Sequence, residues 1–239
     1  MKNILDNLMT HMREYVFPQY YPSSDAEGRI RRILPSLGAE GLDSEALMLT
    51  LPEIRRKMGT DVLAISHSDP AVSSHEEIIR CYPGIEAVLH YRTAHALLGC
   101  GAAVIIPRMI TERAHSMTGI DIHPCARIGE YFAIDHGTGI VIGKTSIIGN
   151  HVTLYQGVTL GAKNFSYDEA GVPKDIPRHP ILEDNVTVYS NTSILGRITI
   201  GHDSIIGGNV WLTADVPPHS RILQGKAIYL REFSGGEGI

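Results

Sequence analysis

The stretch ILEDNVTVYSNTSILGRITIGHDSIIGGNVWL (Ile181–Leu212) places an aliphatic residue at every sixth position: Leu182, Val188, Ile194, Ile200, Ile206 and Leu212. A helix repeats its buried face about every 3.6 residues and a strand every second one, so neither alone yields this period. Self-similarity at a fixed short period marks a solenoid. Three hexads close a triangular coil of about 18 residues with the aliphatic side chains inward, and successive coils stack about 4.8 Å apart. A β-sandwich does not fit, because its turn signals do not return every six residues.

Upstream the same period holds with two interruptions. Ile122, Ile128 and Ile134 are evenly spaced; Ile142, Ile148, Leu154 and Leu160 resume after a two-residue offset. Gly follows the aliphatic residue at 129, 143, 149, 161, 201 and 207. The polar, Pro-containing run AKNFSYDEAGVPKDIPRHP (Ala162–Pro180) then breaks the repeat, which predicts a loop inserted at one coil corner, and long ordered loops on rigid scaffolds are commonly functional.

Before about Ser116 the periodicity is helical. Ile30, Ile33, Leu34 and Leu37 form one stripe, and Ile78, Ile79, Ile85, Val88 and Leu89 begin another. Pro18, Pro22, Pro70 and Pro83 punctuate these segments. Gly84–Gly101 reads as the longest helix, followed by one over Ala102–Met117. The expected fold is α+β: an α-helical N-terminal domain (1–117), a left-handed parallel β-helix (118–216) with the loop at 162–180, and a C-terminal segment with a flexible tail (217–239).

The composition is that of a soluble globular chain, with 43% hydrophobic and 20% charged residues. A net charge of −5 argues against a nucleic-acid or anionic-membrane partner. No run approaches the ~20 apolar residues that span a bilayer. The acids and His within MKNILDNLMTHMREYVF predict an amphipathic helix rather than a signal peptide or anchor. Cys81, Cys100 and Cys125 are widely separated, which suits a reducing cytoplasm and argues against disulfides or a thiolate zinc site.

Chemistry concentrates where the period fails. His136 lies in the two-residue slip, and Asp121 precedes it by a little less than one coil. An Asp holding one imidazole nitrogen fixes the tautomer of a base. Spacing alone is equally met by two side chains that satisfy corner backbone groups. Cys125, near Asp121, fits packing better than a nucleophile's role. Ser190 and Gly208 are one full coil apart and stack on one edge, and Ala162 has the same offset from Leu160; small residues there would let an extended ligand lie close to the backbone. Lys163, Lys174, Arg221 and Lys226 are candidate phosphate partners.

The segments DIHP (Asp121–Pro124), DHGTGIVIG (Asp135–Gly143), QGVTLG (Gln156–Gly161), RHP (Arg178–Pro180) and VPPH (Val216–His219), with SDPAV (Ser68–Val72) upstream, resemble serine O-acetyltransferases of the hexapeptide-repeat class in order and spacing. The resemblance covers roughly Asp69 to His219. It implies transfer of acetyl from acetyl-CoA to L-serine in cysteine biosynthesis, with His136 as general base and Asp121 its carboxylate partner. Asp69 and Asp135 would hold the substrate ammonium, and Arg178 and His179 its carboxylate, for which a guanidinium is suited. Asp69 also reads as a cap in S-D-P. Gly161, Ala162, Ser190, Gly208 and Lys226 are the expected coenzyme contacts. Two departures bear on that part: Pro177 stands where relatives often carry an acid, and Gln224–Ala227 lacks a usual proline.

The resemblance further implies a homotrimer or a dimer of trimers, inhibition by cysteine, no metal cofactor, and docking of the Gly-rich tail through Ile239 onto cysteine synthase. Three other readings remain: a hexapeptide acyltransferase for another acceptor; a metalloenzyme of the γ-carbonic anhydrase kind, with zinc held between subunits by histidines drawn from His136, His151, His179 and His202; and a non-enzymatic scaffold, which leaves the acid and base set unexplained. The acid and cation set argues against an uncharged sugar acceptor. A metal would need three imidazoles converging on one point.

Overall fold

The computed structural model describes residues 1–225. Lys226 and Ile239 lie outside the described residues. Six α-helices lead: α1 (Lys2–Val16), α2 (Ala26–Ile33), α3 (Ser44–Ser68), α4 (His75–Cys81), α5 (Pro83–Gly99) and α6 (Ile105–Thr118). Their starts follow from the sequence. Asp25, Asp43 and Ser74 accept from the amides of Gly28, Ala46 and Glu77 at the N-termini of α2, α3 and α4, and Pro83 opens α5. Gly119, at φ 71°, ends α6 in the left-handed conformation.

The longest helix is α3, at 25 residues against 17 for α5, which corrects the expectation placed on Gly84–Gly101. Leu47, Leu51, Ile54, Met58, Val62 and Ile65 are its buried stripe. Pro52 interrupts that pattern in sequence, but it sits on the solvent side of the helix. Helix α6 begins at Ile105 rather than Ala102, after Gly101 turns the chain at φ 88°.

From Asp121 the chain winds as a parallel β-solenoid of about five turns with three faces. Face A stacks β1 (Asp121–Ile122), β4 (Val141–Ile142), β7 (Thr159–Gly161), β10 (Ser193–Leu195) and β13 (Trp211–Leu212). Face B holds β2 (Arg127–Ile128), β5 (Ile147–Ile148), β8 (Ile181–Leu182) and β11 (Thr199–Ile200); face C holds β3 (Ala133–Asp135), β6 (Thr153–Tyr155), β9 (Thr187–Val188), β12 (Ile205–Ile206) and β14 (Arg221–Ile222).

Register explains each break in the period. Val141 pairs with Thr159, three hexads on, which is the regular coil. Asp121 pairs with Val141 across a longer span, because two extra residues bulge at His136–Gly137. Ile147 pairs with Ile181 nearly two coil lengths on, so the inserted loop enlarges that coil without disturbing the stack. Ile205 pairs with Arg221 short of three hexads, and Val216 bridges Ile200, so the last coil is the tightest. The residues of the six-period, from Ile122 to Ile206, are buried. Truncating one such Ile to Ala costs about 2–5 kcal/mol.

An ion pair pins the helices to the first coils. Arg92 of α5 donates to both carboxylate oxygens of Asp61 on α3, at 2.7 and 2.9 Å, and to the Gly129 carbonyl at 2.8 Å. Asp61 Oδ1 also accepts from the Phe132 amide at 2.9 Å. Burial pushes this carboxyl up, and Arg92 opposes the rise. Gly84 lets α5 start directly on β3: a Cβ there would meet the Ile134 carbonyl oxygen at 2.8 Å. Helix α5 thereby overhangs the end of β3, where His136 follows.

Candidate active site

The site residues fall on two of the three corners. At the corner between faces C and A, the bulge presents His136 at φ 56° with its side chain 73% exposed. Asp135, at the end of β3, turns outward, its Oδ1 3.8 Å from His136 Nε2. Asp69 reaches the same place from the C-terminal end of α3. These three line a cavity of about 440 Å³ with Ala71, Cys81, Tyr82 and Pro83.

Asp69 both closes a local turn and faces that cavity. One carboxylate oxygen accepts from the Ala71 amide at 2.8 Å; the other accepts from the Tyr82 hydroxyl at 2.7 Å. The Tyr82 hydrogen bond and the Ala71 amide hold the Asp69 carboxyl below its ordinary value, and the same contact pushes the Tyr82 phenol up to about 12. Sequence reading missed Tyr82 and Cys81. They sit at the α4–α5 junction, a position that only the packing of α5 on β3 brings to the cavity.

Asp121 lies on face A, one coil below Val141. Its carboxylate clusters with Glu112 and His115 of α6, with donor atoms within 4.8 Å of one another. Among the described residues the carboxylate within 4.0 Å of His136 is that of Asp135 rather than Asp121.

Arg178 and His179 stand at a different corner, between faces A and B, where the loop returns. Thr145 organises them. Its hydroxyl oxygen accepts from the Arg178 and His179 amides at 2.9 and 3.1 Å, so its own proton is free to donate to His179 Nδ1 at 2.8 Å. The Thr145 amide donates to that same nitrogen at 3.2 Å. Nδ1 is therefore the acceptor and Nε2 carries the proton, as a carboxylate-binding imidazole requires. Burial, Arg178 and Arg197 hold the His179 pKa down at about 4, so the ring stays neutral at physiological pH. A Cβ on Gly143 would overlap His179 Cδ2. The Arg178 Nε is buried without a partner among the described residues.

The expected coenzyme contacts divide in the same way. Ser190 and Gly208 stack at the C–A corner: a Cβ on Gly208 would meet the Ser190 carbonyl oxygen at 3.1 Å. Gly161 and Ala162 lie at the A–B corner, at the end of β7. Between the acids and Ser190, Tyr155 pairs in register above Asp135 and stacks on Tyr189 with centroids 4.8 Å apart. Cys125 is half-buried at the A–B corner, its amide donating to His123 Nδ1 at 3.1 Å. The four histidines of the metalloenzyme reading are dispersed over three corners of the chain: His136 at C–A, His179 at A–B, and His151 and His202 at B–C. No helix among the described residues is long and apolar enough to cross a membrane.

A six-residue-period solenoid bearing a corner histidine flanked by acids defines a hexapeptide-repeat acyltransferase. No family model matches the chain. It is 50% identical over 197 residues to a plasmid-encoded serine acetyltransferase of Synechococcus elongatus, covering 82% of this chain and 61% of that protein's length. The serine acetyltransferase of Mycobacterium tuberculosis is 40% identical over 166 residues, 70% of this chain and 69% of the relative. Serine acetyltransferase 1 of Entamoeba histolytica, solved in complex with L-cysteine, superposes with a TM-score of 0.81 at 37% identity over 90% of this chain and 85% of that one. The serine acetyltransferase of Neisseria gonorrhoeae, solved with serine, superposes with a TM-score of 0.65 at 27% identity, over 90% and 78%. The chain belongs to the serine acetyltransferase family.

Proposed function

We propose that this chain transfers the acetyl group of acetyl-CoA to the hydroxyl of L-serine, giving O-acetylserine and CoA, in the cytoplasm and without a metal. The observation that carries this reading is the cavity in which Asp69, Asp135 and His136 converge, two acids for an ammonium beside one base for a hydroxyl.

A serine hydroxyl does not ionise at neutral pH, so its proton must leave as its oxygen attacks the thioester carbon. His136 accepts that proton. Collapse of the tetrahedral adduct breaks the C–S bond, and the imidazolium returns the proton to the departing thiolate. Asp121 supports the imidazole once the His136 side chain, exposed and free to rotate, turns toward the neighbouring coil.

The carboxylate end of serine needs Arg178 and the His179 Nε2–H, which one chain presents at another corner. Two copies packed through face A supply both halves, the C–A corner from one and the A–B corner from its neighbour. Ser190 with Gly208 and Gly161 with Ala162 divide in the same way, so one seam takes both substrates. The seam surface suits burial: Trp211 on face A is 70% exposed, and Phe165, Tyr167 and Val172 of the loop are exposed as well. A closed homotrimer is the simplest assembly that repeats this contact. Cysteine, which differs from serine by one atom, competes for the same acid and cation poles.

Thiol release from acetyl-CoA, measured with L-serine, L-threonine, L-homoserine and a sugar acceptor, tests the assignment. L-Serine is preferred, and His136→Ala loses about 10²–10⁴-fold in kcat. A different preferred acceptor, or a fully active variant, overturns it.

A further inference from the structure

The third corner, between faces B and C, carries neither half of the acyl-transfer site, yet three metal-ligating side chains meet there. His202 follows β11 and precedes Asp203; His219 occupies the same corner one coil later. Their donor atoms lie within 4.8 Å of one another. The His202 and His219 Nδ1 atoms are 2.7 and 3.7 Å from one shared oxygen, Asp203 Oδ2.

We infer that His202, Asp203 and His219 bind a borderline divalent transition-metal ion, Zn²⁺ in the first instance, which staples the last coil of the solenoid to the one before it. Bonds of about 2.0–2.2 Å in a tetrahedral site place neighbouring donor atoms roughly 3.4 Å apart, so the two measured separations need adjust by less than about 1 Å, within reach of side-chain rotation. Two imidazoles with one carboxylate favour Zn²⁺, Cu²⁺ or Ni²⁺ over Mg²⁺ and Ca²⁺, which require shells of oxygen. Three protein ligands leave a fourth position for water.

The surroundings orient the ligands. Asn185 Nδ2 donates to Asp203 Oδ1 at 3.0 Å, which reserves Oδ2 for the ion. Glu183 Oε2 accepts from the His202 amide at 2.8 Å, and the His219 amide donates to the His202 carbonyl at 2.9 Å. Asn185, Asp203 and His219 all adopt the left-handed conformation, at φ 61°, 57° and 58°, so the corner stacks them in successive coils. A His202–Asp203 hydrogen bond by itself would not use His219. The His219 ring makes no hydrogen bond among the described residues and instead meets the His202 ring edge-on, with centroids 4.8 Å apart. Both rings are open to solvent, 45% and 70% exposed, so an ion can enter.

The test is calorimetric titration of the EDTA-stripped full chain with Zn²⁺ near neutral pH, for wild type, His202→Gln and His219→Gln, with Mg²⁺ as control and circular dichroism to verify folding. Wild type takes up one saturable Zn²⁺ per chain that each variant loses, and no Mg²⁺. Zn²⁺ at about a hundredfold over its Kd raises the Tm of wild type by about 5 °C or more and leaves the variants unmoved. Should one variant fail to melt cooperatively, the other decides. Absence of a saturable equivalent in wild type, or equal uptake by a folded variant, overturns the inference.

Discussion

The Tyr82 hydroxyl donates to Asp69 Oδ2 at 2.7 Å across the rim of the cavity that His136 lines, joining the end of α3 to the start of α5. The contact fixes the second oxygen of a carboxylate whose first is held by the Ala71 amide. Removing a hydrogen bond to a charged group costs about 1.5–3 kcal/mol when it is fully expressed. Tyr82→Phe is therefore expected to raise KM for serine by about tenfold with little change in kcat. Because the lost bond is the main force lowering the Asp69 carboxyl, the acid limb of kcat/KM moves to higher pH. Steady-state kinetics across pH check both; an unchanged KM removes Asp69 from the ammonium site.

The separation of His136 from Arg178 onto different corners makes the shared site testable by mixing. His136→Ala and Arg178→Ala are each expected to be nearly inactive alone. In a trimer assembled from equal amounts of both, a site is intact when its C–A corner comes from the Arg178→Ala chain and its A–B corner from the His136→Ala chain. Random mixing makes this true of about a quarter of the sites. Co-refolded mixtures recovering about a quarter of wild-type activity support a site between copies. Recovery no greater than the sum of the parents refutes it.

Gly143 is expected to act on substrate through His179, and Thr145 through His179 and Arg178. Gly143→Ala forces the imidazole aside, and Thr145→Val removes the hydroxyl that receives the Arg178 and His179 amides. Both are expected to lower kcat/KM for serine by about 10–100-fold, mainly through KM, while KM for acetyl-CoA moves little. Thr145→Ser, which keeps the hydroxyl, retains most activity. Loss in the Ser variant equal to that in the Val variant would point to packing rather than to the hydrogen bonds.

The solenoid was legible because its inward residues obey one rule, a buried aliphatic every sixth position, and every break in the rule marks a real bulge, loop or shortened coil. The helical region was less so. Helix α3 hides behind Pro52, which is harmless on an exposed face and looks disruptive in a string of letters. At the candidate site, the sequence singled out Asp69, Asp135 and His136, which line one cavity, but not their company. Tyr82 and Thr145 carry no pattern of their own; they matter because α5 lies on β3 and because the loop returns over β4. Counting by coils set Asp121 about one turn from His136 but could not tell that its carboxylate also has Glu112 and His115 of α6 for company.

His123 and His179 tie stability to pH. Burial and the positive charges of Arg108 and Lys144 bring His123 down to about 4, and burial with Arg178 and Arg197 does the same to His179. Both titrate near 6.5 in the unfolded chain. Between about 4 and 6.5 the unfolded state thus binds more protons than the folded one, so the folded state loses stability as pH falls through that window and regains it above. Solvent screening of the partly exposed His123 limits the joint effect to the order of 1–3 kcal/mol. Urea denaturation from pH 7.5 to 4.5 is expected to show this decline, and His123→Gln to flatten part of it. A stability that holds level or rises over that range would mean the two rings are protonated in the folded protein, and His179 would then meet the serine carboxylate as a cation rather than as a neutral donor.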